Sequence, residues 1–258
     1  MKKISFVMIC LLLCFLSIFA LSADAATVAI EVNDYDPSSE HDALTSTLTN
    51  LGHTVVDVTT VDEAQNAGAC TIISYAGGDT LDSADLESWV NGGKGLIQIG
   101  DWTNYFSTTW ESAQATITVN ITNPSHPLAQ GLPSSWSGHG YFYNALPPGF
   151  LAYSNGSLTG ETEIGTLQST VVRNYGISAY DSGTGRAVFL GLNVYGPSAG
   201  ANDLALLQNS IDWSCGGSPP VSTTRIPTMN EWGLIIFAVL TGLGATYYLR
   251  RQKTTAKR

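Results

Sequence analysis

Four aspartates, Asp34, Asp36, Asp79 and Asp101, stand just after short apolar runs that read as parallel strands. Sites in open α/β sheets form outside the carboxyl ends of strands. These acids therefore share a rim that could hold a divalent metal, and Asp101 could serve there as a base. The same carboxylates also suit turns and helix N-termini in water, where their work is only local. The metal-ligand set stays unknown at this level, and no cofactor is called for. His126 and His139 sit in loops among Trp102, Tyr105, Phe106, Trp110, Trp136, Tyr141, Phe142 and Tyr143. A histidine beside a carboxylate can move a proton near neutral pH, so Asp101 and His126 form the candidate acid–base set. No i, i+4 histidine pair and no H-E-x-x-H pattern supports zinc. The aromatic rings could stack on sugars or simply fill a core.

Gly196-Pro197-Ser198-Ala199-Gly200 has the G-x-S-x-G form between a strand and a helix. All four histidines (His41, His53, His126, His139) precede Ser198, so the order serine, acid, histidine of the α/β-hydrolases fails. A glycine-rich connection is the simpler reading.

The elements that must position these groups alternate. Thr27–Val32 is a β-branched run, and 39–51 follows with Leu44, Leu48 and Leu51 on one helical face before Gly52. His53–Val58 and Thr71–Tyr75 are further strands. Ser83 is placed to cap a helix carrying Leu86, Trp89 and Val90, which Gly92-Gly93 stops. Gly95–Ile99 is the fourth strand, Ala187–Val194 a late one, and Asp203–Trp213 the last helix. Short apolar strands separated by amphipathic helices predict a parallel sheet with helices on both faces. The stretch 116–172 is richer in strand and turn residues and predicts an antiparallel extension.

Three short stretches carry a family likeness: Gly92-Gly93-Lys94-Gly95-Leu96-Ile97-Gln98-Ile99-Gly100, His126-Pro127-Leu128-Ala129-Gln130-Gly131-Leu132, and Gly185-Arg186-Ala187-Val188-Phe189-Leu190-Gly191. With the element order, they make residues 26–215 resemble the flavodoxin-like, class I glutamine amidotransferase-like fold, in particular its ThuA-like branch. The resemblance implies a nucleophilic cysteine after the fourth strand. Asp101 stands in that place, and a carboxylate cannot form and release a thioester as a thiolate does. Glutaminase activity is therefore disfavoured. A ThuA-like hydrolase acting on carbohydrates or their derivatives remains an implied activity.

The two ends give an address. Lys2 and Lys3, an apolar run from Ile4 to Leu21 and small residues to Ala26 read as a signal peptide over 1–25; an uncleaved anchor is the alternative. Residues 216–224 form a Gly/Ser/Pro linker. Trp232–Leu249 holds no charge and is just long enough for a transmembrane helix, and Arg250 and Arg251 begin a basic tail that stays inside. Ile226, Pro227, Thr228 and Met229, then Trp232 and Gly233, a span and a basic end resemble the IPTL-CTERM sorting signal of Gram-negative bacteria over 225–258. That resemblance implies an exosortase-like partner, removal of the tail and delivery to the cell surface or matrix. In an exported chain only Cys70 and Cys215 remain after the leader, and both fall at the same end of the sheet. A disulfide is expected, with two buried thiols as the alternative. From 26 to 224 three basic residues face 19 acidic ones, a balance of −16, which disfavours nucleic acid and suits cations or neutral surface glycans. Together these readings predict a surface-sorted envelope protein in a binding or structural role.

Overall fold

The computed structural model describes residues 25–32, 38–75, 80–100, 105–114, 116–140 and 149–216. The leader, the linker, the sorting motif and the expected span at 232–249 lie outside them. Among the described residues no helix is long and apolar enough to cross a membrane.

Five parallel strands form one half of a nine-stranded sheet: β1 (Thr27–Glu31), β2 (Thr54–Val58), β3 (Thr71–Tyr75), β4 (Gly95–Ile99) and β11 (Arg186–Leu190). Their spatial order is β2-β1-β3-β4-β11. Side chains alternate across the pleat, so each strand feeds two cores. Val28, Ile30, Ile73, Ile97, Ile99 and Val188 face a cluster with Leu44 and Leu48 of α1 (Ser38–Asn50) and Leu207 and Ile211 of α4 (Ala201–Ser214). Ala29, Ile72, Leu96, Ala187 and Phe189 face the other cluster, with Ala64 of α2 (Val61–Asn66) and Leu86, Trp89 and Val90 of α3 (Ser83–Asn91). Burial on both faces explains the mainly apolar central strands β3 and β4, whereas the edge strand β2 is partly exposed and carries Asp57. Two local expectations change. Asp82, not Ser83, caps α3, its carboxylate accepting the Asp85 N–H at 2.8 Å. The short helix α2, capped by Thr60 with Glu63 reaching back, was not foreseen.

The antiparallel half continues the sheet as β10 (Val172–Asp181), β9 (Thr162–Gln168), β6 (Thr116–Ile121) and β7 (Ser135–His139). It curls back on itself. His139 at the end of β7 bridges Asn193, just past β11, and the Asn193 N–H donates to the His139 carbonyl at 3.0 Å. Inside the curl lie Ile117, Val119, Trp136, Ile164, Ile177 and Leu192. Asp203, fully buried, pins it to α4: its carboxylate accepts the Trp136 indole N–H at 2.7 Å and the Gly200 N–H at 2.9 Å. β10 bulges after Arg173, where Tyr175 takes φ 54° and its N–H is held by Glu163 at 2.9 Å. A separate pair, β5 (Thr108–Ala113) and β8 (Gly149–Ser154), lies over this region. At the amino edge a disulfide joins Cys70 to Cys215, with Cα atoms 4.9 Å apart and a sequence separation of 145.

Candidate functional site at the carboxyl edge

The chain winds from β1 outward to β2 and then inward to β3, so the topological switch point lies between β1 and β3. That crevice is where doubly wound sheets bind ligands. Glu31 ends β1 there and is 0 % exposed. One of its oxygens, Oε1, accepts the Thr80 N–H at 3.1 Å, the Thr80 hydroxyl at 2.9 Å and the Leu81 N–H at 2.8 Å. The Thr80 hydroxyl also lies 3.1 Å from the Val32 carbonyl. The other oxygen, Oε2, is buried with no hydrogen-bond partner among the described residues. Further along the edge, β3 ends at Tyr75, whose ring meets Tyr195 edge-on at 6.2 Å. β4 turns out at Gly100 with φ 58°, its N–H bonded to the Leu190 carbonyl at 2.8 Å. This left-handed position is held by a residue without a side chain, so the sharp turn itself presents no nucleophile. Beyond β11, Asn193 accepts the Tyr195 N–H and the Gly196 N–H donates to the Thr47 hydroxyl, both at 3.1 Å. A groove of about 470 Å³ opens between α1 and this loop, lined by Ser46, Thr47, Asn50, Gly196, Pro197 and Leu204.

Of the residues expected here, Asp34, Asp36, Asp79 and Asp101 lie outside the described residues, though each follows a strand that ends at this edge. His126 does not belong to it. It caps the 3-10 turn Pro127–Ala129, its Nδ1 accepting the Leu128 N–H at 3.2 Å. Its ring packs edge-on to Trp213 at 5.2 Å. Trp213 in turn receives Arg186, which stacks on the indole at 5.2 Å and donates to its carbonyl at 2.9 Å. Arg186 starts β11 and pairs with Gly95 at the start of β4, so His126 sits by the amino edge. The five residues of β4 separate that edge from Gly100 by about 16 Å. The pairing of His126 with Asp101 as acid and base is therefore corrected: the His-Pro motif builds a turn that docks on α4. Burial, and then the Arg186 charge, hold the imidazole below the usual histidine range, with Asp181 opposing. Two further histidines have side-chain partners, whereas the Nδ1 of His139 is buried without one among the described residues. His41 bonds Asp57 at 2.9 Å, and His53, buried, bonds Gln208 at 3.0 Å. Among the described residues no group of three or more His, Cys, Asp or Glu is placed to hold a metal ion.

Glu31 is the residue that sequence reasoning missed. The signal was present: an acid closing a run of residues buried on both faces is rarely left there without a partner. What the edge offers chemically is a buried carboxylate, a hydroxyl and carbonyl oxygens, a set suited to hydrogen-bond donors and cations.

The fold has counterparts among solved structures. No protein-family model and no curated protein matches the chain. Among solved structures it is similar to a ThuA-like protein from Parabacteroides merdae, at TM-score 0.54 and 14% identity over 76% of this chain and 91% of that one. A ThuA-like protein from Bacteroides uniformis gives 0.52 and 14% over 78% and 98%. A cytoplasmic protein from Salmonella typhimurium gives 0.51 and 11% over 73% and 98%. The mixed α/β domain thus has the ThuA-like fold expected from the three short stretches.

Proposed function

We propose that this chain is exported, sorted to the cell surface and used there in a binding or structural role, with surface glycans as the ligand class. The observation that carries the reading is the Cys70–Cys215 bridge. Disulfides persist in oxidising compartments, and these are the two cysteines left once a leader over 1–25 is removed. The domain balance of −16 fits a neutral or cationic partner outside the cell. Glycine at the turn out of β4, followed by Asp101, argues against glutaminase chemistry. In this reading Ile226, Pro227, Thr228, Met229, Trp232 and Gly233 are recognised by an exosortase-like enzyme, and Arg250 and Arg251 hold the tail inside until it is removed. The second reading, a secreted carbohydrate hydrolase, draws on the ThuA-like fold and assigns Asp101 as its acid–base group.

One experiment separates them. The full chain and its Asp101→Asn variant are followed by thermal unfolding against a panel of neutral sugars, and both are assayed for glycoside and ester hydrolysis. A sugar-dependent shift without turnover supports binding; turnover abolished in the variant supports the hydrolase. Address is tested by mass spectrometry of the protein from native cells, where an intact C-terminal tail would overturn the sorting step.

A further inference from the structure

The buried carboxylate at the switch point lacks a positive partner, and this domain has none to offer. Only three basic side chains lie between 26 and 224, and each is engaged elsewhere. Lys94 donates to the Ala69 carbonyl at 3.2 Å and lies over the Trp89 ring. Arg173 pairs with Glu111. Arg186 binds the Trp213 carbonyl and lies 3.6 Å from Asp181. The histidines His41, His53, His126 and His139 sit on α1, just before β2, at the cap of the Pro127–Ala129 turn and at the end of β7, none of them among the partners of Glu31. A charged carboxylate taken fully out of water is normally paired or coordinates a cation. On Glu31, Oε1 is satisfied by three neutral donors and Oε2 by none. The oxygens nearest the carboxylate belong to Thr80, an exposed residue whose hydroxyl bonds Oε1, and to Val32, whose carbonyl lies 3.1 Å from that hydroxyl. Hard cations prefer such donors, whereas soft metals seek sulfur and imidazole.

We infer that the β1/β3 crevice is a binding site for a small oxygen-seeking cation, with Glu31 Oε2 as its anionic anchor and Thr80 closing one side. A small cation fits better than a bulky organic ligand, because the anchor is fully buried one residue away from the surface. The site is independent of the export reading: it would hold equally in a cytoplasmic domain.

The test uses the full chain at fixed ionic strength, so that general screening of the acidic domain is held constant. Thermal unfolding is followed against Ca²⁺, Mg²⁺, K⁺ and methylammonium. Binding at a hundredfold excess over Kd should raise Tm by about 5 °C or more for one arm. Glu31→Gln, which keeps volume and an acceptor for the Thr80 and Leu81 N–H groups, should abolish that rise. Asp62→Asn, an exposed acid on α2, should keep it. A shift that survives Glu31→Gln, or that Asp62→Asn also removes, assigns the effect to diffuse charge and overturns the proposal. Should Glu31→Gln fail to fold, isothermal titration of the unaltered chain decides. One cation bound per chain supports the site, and no heat up to millimolar concentration in any arm overturns it.

Discussion

His126 shows how a residue that looks catalytic can be structural. Its Nδ1 accepts the Leu128 N–H, so that nitrogen must be unprotonated for the cap to exist. Burial and the Arg186 charge act in the same direction, and both disfavour the imidazolium. The folded-state pKa is therefore below the unfolded value of about 6.5, and the unfolded chain binds more protons as pH falls. The stability linked to this group is present above pH 6.5 and is lost progressively below it. We expect Tm to fall between pH 6.5 and 5 in the native chain. In His126→Asn, which keeps a side-chain acceptor at the cap but does not titrate, this part of the slope should disappear. Thermal unfolding across that pH range checks it; an unchanged slope in the variant would show that the imidazole is not the titrating group. The same residue explains a limit of sequence reading. A His-Pro dipeptide among aromatics does not reveal which edge of the sheet it will reach, because that depends on how 122–134 docks on α4 through Asn209, which donates to the Leu128 and Gln130 carbonyls at 3.0 and 2.9 Å.

Elements differ in how far the chain announces them. The parallel strands were legible because each is a short, mainly β-branched or aliphatic stretch with a turn signal behind it, and β3 and β4 fall at the expected bounds. Helix α2 was not, since of its six residues only Ala64 is buried and there is too little periodicity to detect. The antiparallel half was legible only as strand-rich. Its pairing follows from a non-local closure, the return of β7 to Asn193, and from β8 leaving the main sheet to pair with β5. That departure rests on one glycine. β8 crosses the end of β11 where the Ala152 N–H donates to the Gly191 carbonyl at 3.1 Å and the Gly191 N–H to the Gly176 carbonyl at 2.9 Å. A Cβ on Gly191 would collide with the Ala152 carbonyl, which is backbone and cannot rotate aside. Gly191→Ala should therefore destabilise the protein by about 2–3 kcal/mol, the cost of overpacking a filled site, measured by urea unfolding. Gly183→Ala serves as the control: it sits in a turn with nothing within 4 Å, so only its φ of 86° is strained. Equal losses in the two variants would mean that the crossing is looser than its hydrogen bonds imply.

At the scale of the whole molecule, the bridge between Cys70 and Cys215 joins the start of β3 to the last turn of α4, the point where the described chain gives way to the linker. Closing a loop whose ends are 145 positions apart restricts the unfolded chain far more than the native one. The chain-entropy model sets the stabilisation at about 5 kcal/mol, and measured values run lower, around 2–4 kcal/mol. The bridge also fixes the C-terminus of α4 against the amino edge, where Gly95 lies so close to Ser214 that a Cβ would clash. We expect reduction, or Cys70→Ser with Cys215→Ser, to lower Tm by about 10 °C. Reduction should also make α4 the first segment to exchange its amide hydrogens. Hydrogen exchange followed by mass spectrometry, with and without reductant, reads both effects in one sample. If α4 keeps its protection after reduction while Tm falls, the bridge acts only on the unfolded chain. If neither changes, the packing of Leu206, Leu207 and Ile211 is sufficient by itself, and the bridge adds nothing to the fold.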